Sequence, residues 1–294
     1  MSYWQKGEGV LRNNKGTDSK TNLVIFILAI GLFVVGTVEL GFAGILKVVS
    51  SDLGISIAAT GQLVTIYAII YAIIYAIGTP VFTLITSRIE RKKLLLLSLI
   101  VFILSNVIAT VSPNYLILMS SRIIGAISSG IFSVSSVALA AKIVPSSQVG
   151  KAIGRTMMGY TASLVLGVPF GTFVGETFGW RIIFALVALV SLLPLAGVWL
   201  FVQKVEGEEP VPLKTQFSIM RNPAMVMGML VTVFILIGQF CLYTYLTPFL
   251  HALADFHTKG ITASFFVLGI FGVLGSFIAE ISLINWVPER RRME

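Results

Sequence analysis

Charged residues are scarce in this chain, and their scarcity excludes an ordinary soluble fold. Only 12% of the 294 residues are Asp, Glu, Lys or Arg, whereas 56% are hydrophobic, and the mean hydropathy is +0.94. A soluble domain carries about 25% charged residues to cover its surface. A chain of this length cannot hide so many apolar side chains from water. We therefore expect an all-α transmembrane protein whose solvent is a lipid bilayer.

Cysteine and histidine are nearly absent, and this excludes several kinds of site. The single cysteine, Cys241, cannot form an internal disulfide, and the sequence has no zinc-type spacing. Both histidines, His251 and His257, share one predicted outer loop with Asp255, which is a weak candidate for a metal site without a fixed helical frame. No cluster of His, Asp or Glu lies at one depth in the apolar stretches. The sequence therefore predicts no resident metal, no cofactor and no enzyme.

The charges that are present are mostly positive, and the formal net charge is +8. In a soluble protein this excess would suggest nucleic-acid binding, but no stretch combines a basic face with aromatic side chains for base stacking. In membrane proteins, lysine and arginine concentrate in the cytoplasmic loops. All but four of the 21 Lys and Arg residues fall on one side of the membrane if the N-terminus is cytoplasmic. We therefore predict a multi-pass protein with a cytoplasmic N-terminus and no nucleic-acid partner.

Eight apolar stretches are long enough to cross a bilayer, which requires about 20 residues each. They comprise 23–49, 60–85, 94–111, 115–144, 152–174, 180–201, 223–250 and 261–279. The sixth stretch is followed by a longer polar connection, as in transporters that are divided into two bundles. The predicted organisation is a cytoplasmic tail (1–21), a six-helix bundle (22–203), a cytoplasmic linker (204–222), two further helices (223–279) and an aberrant tail (280–294).

The first helix and the turn after it carry a family resemblance. The motif Gly36-Thr37-Val38-Glu39 and the segment 51–56 resemble the drug:proton antiporter branch of the major facilitator superfamily. Within that branch the chain is most similar to bacterial exporters of purine bases and nucleosides, and to sugar-efflux relatives. The resemblance covers about 22–277 and implies the major facilitator fold, with a complete N-terminal bundle of three-plus-three inverted repeats and two helices of an incomplete second bundle. It also implies a bacterial plasma-membrane location, a small-molecule substrate, the proton gradient as driving force, and a monomer at full length.

Two charged residues within the predicted spans are candidates for proton coupling or substrate contact. Glu39 is the one acid deep in the first six spans, where a charge costs about 2.5–3.5 kcal/mol, so it should face a cavity or the bundle interior. Arg122 lies in a segment that resembles the family's second motif, and the resemblance implies a buried arginine that takes part in proton transfer. Because an arginine keeps its proton, its role would be to tune a neighbouring carboxylate, with Glu39 as the candidate, or to hold an anionic or carbonyl group. The alternatives are a structural hydrogen-bonding acid near the outer end of helix 1, and an arginine that snorkels to the outer interface.

Polar side chains elsewhere in the spans leave two interpretations open. Gln239 and Tyr243 of helix 7 are predicted substrate contacts, because polar groups at lipid depth face protein or water. Tyr67, Tyr71 and Tyr75 recur every four residues on helix 2. This stripe lines a cavity or simply packs against other helices.

Helix 5 resembles the antiporter motif of the branch in a shifted form. Its members are Gly159, Gly167, Pro169 and Gly171. Pro169 lacks a backbone donor and should bend the helix, whereas the glycines allow a neighbouring helix to approach closely. The resemblance implies a gating hinge and export rather than import, and the alternative is a kinked packing helix.

The loop after helix 2 resembles the superfamily's signature loop, whose pattern is G-x-x-x-D-R-x-G-R-[RK]. Arg88, Arg91 and Lys92 match this pattern, whereas Ser87 replaces the usual Asp and Glu90 the usual Gly. The resemblance implies a cytoplasmic latch between the two bundles, with Glu90 as a possible negative partner. Anchoring by the positive-inside rule is the plainer interpretation, and the two are compatible.

The end of the chain departs from the family pattern, which has twelve helices where eight are found here. Codons can be chosen for residues 280–292 so that the reading frame shifted by two bases encodes Asp-Phe-Thr-Asp-Lys-Leu-Gly-Pro-Arg-Lys-Thr. This peptide is similar to the signature loop expected after helix 8. We therefore expect a frameshift, and a truncated chain that is inactive unless a second polypeptide supplies the rest.

The predicted function is secondary active export of small organic solutes by proton antiport, with purine bases and nucleosides favoured. Multidrug or sugar efflux is the first alternative. A non-transporting membrane scaffold is the second.

Overall fold

The computed structural model describes residues 15–77 and 89–205, together with scattered positions between 222 and 275. Within these residues six helices are long and apolar enough to cross a membrane, and they coincide with the first six predicted spans. The seventh and eighth predicted spans, the linker and the tail lie wholly or largely outside the described residues. The six spans are Ser19–Glu39, Ile57–Ile74, Arg91–Thr110, Tyr115–Lys142, Ser146–Gly175 and Trp180–Phe201.

The helices are numbered here in chain order and grouped by the span to which they belong. Span 1 consists of α1 (Lys15–Gly41), a 3₁₀ turn (Phe42–Ile45) and α2 (Leu46–Leu53). Spans 2, 3 and 4 are α3 (Ile57–Ile77), α4 (Arg91–Thr110) and α5 (Tyr115–Lys142). Span 5 consists of a 3₁₀ turn (Ser146–Gln148), α6 (Val149–Ala162), a π turn (Ser163–Gly167) and α7 (Val168–Phe178), and span 6 is α8 (Trp180–Phe201).

Span boundaries differ from the predicted ones where polar or small residues join a helix end. The first helix begins at Lys15, inside the segment assigned to a cytoplasmic tail, because a helix continues beyond the apolar stretch as long as its backbone is hydrogen-bonded. Span 1 continues to Leu53 rather than 49, but a 3₁₀ turn interrupts it after Gly41. It ends at Gly54, whose φ of 63° places it in the left-handed region and whose N–H bonds the carbonyl of Ser50.

The contacts between spans follow a pseudo-twofold pattern. Span 1 packs on spans 5 and 6, and span 4 packs on spans 2 and 3. Exchanging spans 1–3 with spans 4–6 converts one set of contacts into the other, and the contact between spans 3 and 6 maps onto itself. This is the arrangement expected of three-plus-three inverted repeats.

Spans 1 and 5 approach each other through glycine. A Cβ on Gly159 would overlap the main-chain carbonyl of Ala29, and a Cβ on Gly167 would crowd Thr37. Gly171 lies against the backbone of Gly41. Between these contacts span 5 is interrupted by the π turn, and Pro169 follows within the first turn of α7. The motif glycines therefore line a close contact between spans 1 and 5 that extends from Ala29 to Gly41, and the helix irregularity lies just before the proline.

A polar cluster ties three loops together at the end of the bundle opposite to Lys15. Asp52 accepts hydrogen bonds from Trp180 Nε1 at 3.0 Å and from Arg181 Nη1 at 2.5 Å. Arg181 also donates to the carbonyl of Ser112 at 3.1 Å, and its guanidinium lies 4.3 Å from the Trp180 ring centroid. The cluster thus joins the ends of spans 1 and 3 to the start of span 6.

We expect Asp52→Asn to destabilise the bundle at neutral pH by about 1 kcal/mol or less, because the carboxylate is 45% exposed and an exposed pair is screened. The hydrogen bonds from Arg181 and then Trp180 lower the pKa of Asp52. A lowered pKa in the folded protein means that the stabilisation is present above the ordinary Asp value of about 3.9 and is lost as the pH falls through the folded value. Melting temperatures of the wild type and the variant should therefore converge in acid.

A double-mutant cycle with Arg181→Gln supplies the control for this prediction. Coupled effects are expected for the pair, since each variant removes the same hydrogen bond. Strictly additive effects, or a difference in melting temperature that does not change with pH, would show that the cluster contributes nothing to stability.

Candidate polar centre

Glu39 lies inside the bundle near the end of α1, where its side chain is 5% exposed. Its carboxylate Oε2 accepts a hydrogen bond from Tyr160 Oη at 3.1 Å. Gly36 makes this contact possible, because a Cβ there would collide with Ser163 and Tyr160 of span 5. The glycine-lined contact between spans 1 and 5 therefore places a hydroxyl donor on the buried acid.

Arg122 is fully enclosed between spans 1, 2 and 4, and its exposure is 2%. Its Nε donates to the carbonyl of Leu63 at 3.4 Å, and its Nη1 donates to the carbonyl of Val38 at 3.3 Å. The guanidinium stacks between two aromatic rings, 4.0 Å from the Tyr67 centroid and 4.7 Å from that of Phe42. Such cation–π contacts stabilise a buried guanidinium.

This burial corrects one of the two sequence interpretations of Arg122. The side chain does not snorkel to an interface, since its backbone acceptors and aromatic neighbours all lie within the bundle. Neither of its hydrogen bonds ends on Glu39, which bonds Tyr160 instead. Arg122 therefore holds two main-chain carbonyls, and its predicted effect on the Glu39 carboxyl stays a prediction.

The tyrosine stripe of span 2 faces the same interior. Tyr67 Oη shares a hydrogen bond of 2.6 Å with Ser129 Oγ, and Tyr71 Oη donates to Ser133 Oγ at 3.1 Å. Tyr67 is 1% exposed and Tyr71 half-buried. The structure thus shows packing and polar contact together at these two positions, whereas the Tyr75 side chain is outside the described residues. We call Glu39, Tyr67, Tyr71, Arg122 and Tyr160 the polar centre.

Sequence reasoning did not find Tyr160 or the small residues of α5 that face the tyrosines of span 2. Tyr160 follows Gly159 directly, so its place in the antiporter motif was an available signal. The second signal is a repeat of small residues every four positions along α5, which gives span 2 room to place its tyrosines against span 4; the repeat is Ser121, Gly125, Ser129 and Ser133.

The arrangement combines a group that can change its charge with one that cannot. A carboxyl can exchange a proton, whereas an arginine stays protonated in practice. An ionisable residue inside the membrane is costly and marks an ion or substrate pathway by default. Among the described residues, no group of three or more His, Cys, Asp or Glu could hold a metal. The chemistry available is therefore proton binding next to a fixed positive charge.

The predicted latch residues lie at the opposite end of the bundle. Glu90 pairs with Lys93 at 3.7 Å, Lys92 Nζ donates to the carbonyl of Trp199 at 2.7 Å, and the Arg91 N–H bonds the carbonyl of Val205 at 3.0 Å. The contacts of Lys92 with Trp199 and of Arg91 with Val205 hold the start of span 3 against the end of span 6 within one bundle. Arg88, Gln239 and Tyr243 lie outside the described residues, as do His251, Asp255 and His257.

The fold and its centre define a class: a multi-span α-helical membrane protein with a buried acid–arginine centre between inverted repeats. Residues 28–293 match the Major Facilitator Superfamily, and the chain belongs to that family. It is 36% identical over 262 residues to the uncharacterized MFS-type transporter YbcL of Bacillus subtilis, covering 89% of this chain and 66% of that protein. It is 30% identical over 259 residues to the inner membrane transport protein YdhP of Escherichia coli K12, covering 88% and 66%.

Solved structures show the same fold. A bacterial homologue of the human lysosomal transporter Spinster matches with a TM-score of 0.64 at 17% identity, covering 94% of this chain and 64% of that chain. A D-xylose–proton symporter matches with a TM-score of 0.63 at 17% identity, covering 90% and 69%. The predicted major facilitator fold is confirmed, and the family consists of membrane transporters rather than enzymes. The chain spans about two thirds of the length of these curated relatives, 66% in both cases.

Proposed function

We propose that this chain belongs to a proton-coupled exporter of small organic solutes in the bacterial inner membrane, with its N-terminus in the cytoplasm. The observation that carries the proposal is the buried carboxyl of Glu39, hydrogen-bonded by Tyr160 in a bundle that also buries Arg122. A carboxyl in this position can bind a proton from one side of the membrane and release it to the other. The small solute moves in the opposite direction.

The coupling follows from competition between Tyr160 and Arg122 for the carboxyl group of Glu39. When the carboxyl is protonated it is neutral, and the hydrogen bond with Tyr160 of span 5 is its only strong polar interaction in this scheme. When the proton leaves, the carboxylate attracts the Arg122 guanidinium, which is bound to the backbone of spans 1 and 2 and stacked on Tyr67. Proton loss therefore pulls spans 1, 2 and 4 relative to span 5. The glycine contact between spans 1 and 5 is the hinge about which this movement occurs.

Purine bases and nucleosides are the favoured substrate class, and multidrug or sugar efflux is the alternative. The support is the resemblance of 36–39 and 51–56 to the drug:proton antiporter branch, together with tyrosines next to the acid that offer both a ring face and a hydroxyl. Gln239 and Tyr243 complete the proposed substrate contacts. Arg88, Glu90, Arg91 and Lys92 form the proposed cytoplasmic latch.

The unusual tail 280–294 belongs to the same proposal. We interpret it as the product of a frameshift within the loop after helix 8. The nucleotide sequence of the gene tests the frameshift directly, since the reading frame shifted by two bases must encode the predicted loop and further helices. In that interpretation the frame-restored, full-length protein is a monomer.

The test of the proposed function is purine flux driven by a pH gradient in membrane vesicles. We expect the frame-restored protein to move hypoxanthine or a purine nucleoside in exchange for protons, at a rate above that of empty vesicles. Flux of drugs or sugars without flux of purines would replace the substrate class and leave the coupling intact. No flux of any solute from a folded, frame-restored protein would favour the scaffold instead.

A further inference from the structure

A small cavity lies beside Arg122, lined by residues of spans 1, 2, 3, 4 and 6. Its volume is about 10 Å³, and its walls include Tyr67, Ser105, Asn106, Ser121 and Arg122. A cavity of about this size holds one water molecule if it offers two to four polar partners. The cavity lies between Arg122 of α5 and residues of α4. The proposed coupling does not involve α4.

One donor of Arg122 has no partner among the described residues. Nε and Nη1 bond main-chain carbonyls, whereas Nη2 is buried without a hydrogen-bond partner. A buried N–H of a charged group that stays unpaired costs more than an ordinary lost hydrogen bond. Arg122 lines the cavity, so the cavity is where this donor can find an acceptor.

The other walls of the cavity offer acceptors. The hydroxyls of Ser105 and Ser121 donate to the carbonyls of Phe102 and Leu118, at 2.7 and 2.6 Å, and this leaves their lone pairs free. Asn106 Nδ2 likewise donates to the Phe102 carbonyl at 2.7 Å, so its Oδ1 remains an acceptor.

The cavity therefore pairs one cationic donor with several acceptors. A halide only accepts, so it would meet oxygen lone pairs on every side except Arg122, and a metal cation would be repelled by the guanidinium. A water molecule can donate two hydrogen bonds and accept up to two, so it can pair with Arg122 and with two of these acceptors.

We propose that this cavity is a hydration site, in which one interior water accepts a hydrogen bond from Arg122 Nη2 and donates to Asn106 and the neighbouring serines. The water holds the guanidinium towards spans 3 and 4, away from Glu39. Its part in coupling rests on the proposed function: Asn106 is a positioning residue that stabilises Arg122 while Glu39 bonds Tyr160. The site itself depends only on the packing around Arg122.

Water contact with the Arg122 guanidinium tests the site in the 294-residue chain reconstituted in lipid vesicles. The measurement is magnetisation transfer from water protons to ¹⁵N-labelled arginine side chains by solid-state NMR, with the Arg122 signal assigned from its loss in Arg122→Lys. We expect clear transfer in the wild type and a severalfold loss in Ser105→Val, which fills the cavity with methyl groups and removes one acceptor. Absence of magnetisation transfer from water to the Arg122 signal of the wild type would overturn the proposal.

Ser98→Val is the matched control. Ser98 is buried on the same helix and donates to the carbonyl three residues earlier, at 3.0 Å to Leu95, but it does not line the cavity. Transfer to Arg122 should be unchanged in this variant, and an equal loss in both variants would contradict the proposal. If Ser105→Val does not fold, Asn106→Leu removes the second acceptor. None of these readouts depends on transport, so a dry site would leave the proposed function standing.

Discussion

Replacing Glu39 by glutamine is expected to abolish proton-driven transport by the frame-restored protein while the bundle stays folded. Glutamine has nearly the same shape as the protonated acid and can still accept the Tyr160 hydrogen bond, but it cannot exchange a proton. The variant is thus held in the neutral state of the carboxyl. Solute exchange across the membrane without net proton movement should persist, because it does not require Glu39 to change its charge.

The measurement separates coupling from binding. Proteoliposomes are assayed for flux driven by a pH gradient and for exchange of labelled against unlabelled solute. Glu208→Gln, which removes an acid from the predicted cytoplasmic linker, is the control and should retain both activities. Undiminished pH-driven flux in Glu39→Gln would assign the coupling proton elsewhere, and the acid would then be structural.

Replacing Gly159 by alanine is expected to disrupt the bundle, since the added Cβ would overlap the main-chain carbonyl of Ala29. A backbone cannot rotate away as a flexible side chain can, so spans 1 and 5 must separate. Overpacking of this kind costs about 1–3 kcal/mol and sometimes more. Separation also lengthens the hydrogen bond from Tyr160, the next residue, to Glu39. The thermal unfolding temperature and the yield of monodisperse protein in detergent should both fall.

Gly154→Ala is the matched control on the same helix. Gly154 is exposed, and a Cβ there would meet no atom within 4 Å. The same substitution should therefore be neutral or stabilising by up to about 1 kcal/mol, because alanine favours the helix. Equal effects of the two substitutions would mean that helix propensity, rather than close approach, determines the role of Gly159.

The two charged members of the polar centre could be located from the sequence because of the solvent. In a bilayer a single acid or arginine within an apolar stretch is costly enough to require a reason. Glu39 and Arg122 therefore stand out without any structural information. Their relationship does not: the arginine bonds the backbone of Val38 and Leu63, and the acid bonds Tyr160.

Tyrosines could not be assigned in the same way. Tyr67 and Tyr160 are as compatible with lipid-facing or packing positions as with a site, because a tyrosine carries both a ring and a hydroxyl. The recurrence of Tyr67 and Tyr71 every four residues fixes only that they share a helix face. Contact with Ser129 and Ser133 depends on which face of α5 lies opposite.

The sequence by itself determined the solvent and the positions of six spans, because apolar length and charge scarcity act locally along the chain. The motifs of helix 1 carried the resemblance to the major facilitator superfamily, which the family match confirms. It also marked the glycines of helix 5 as points of close approach. Only the tertiary structure decided that these glycines set Tyr160 against Glu39, and that Arg122 stacks on Tyr67 beside a small polar cavity. The hydrogen bond between Tyr160 and Glu39 joins residues 121 positions apart in the chain, and its geometry depends on how whole helices pack rather than on any local pattern.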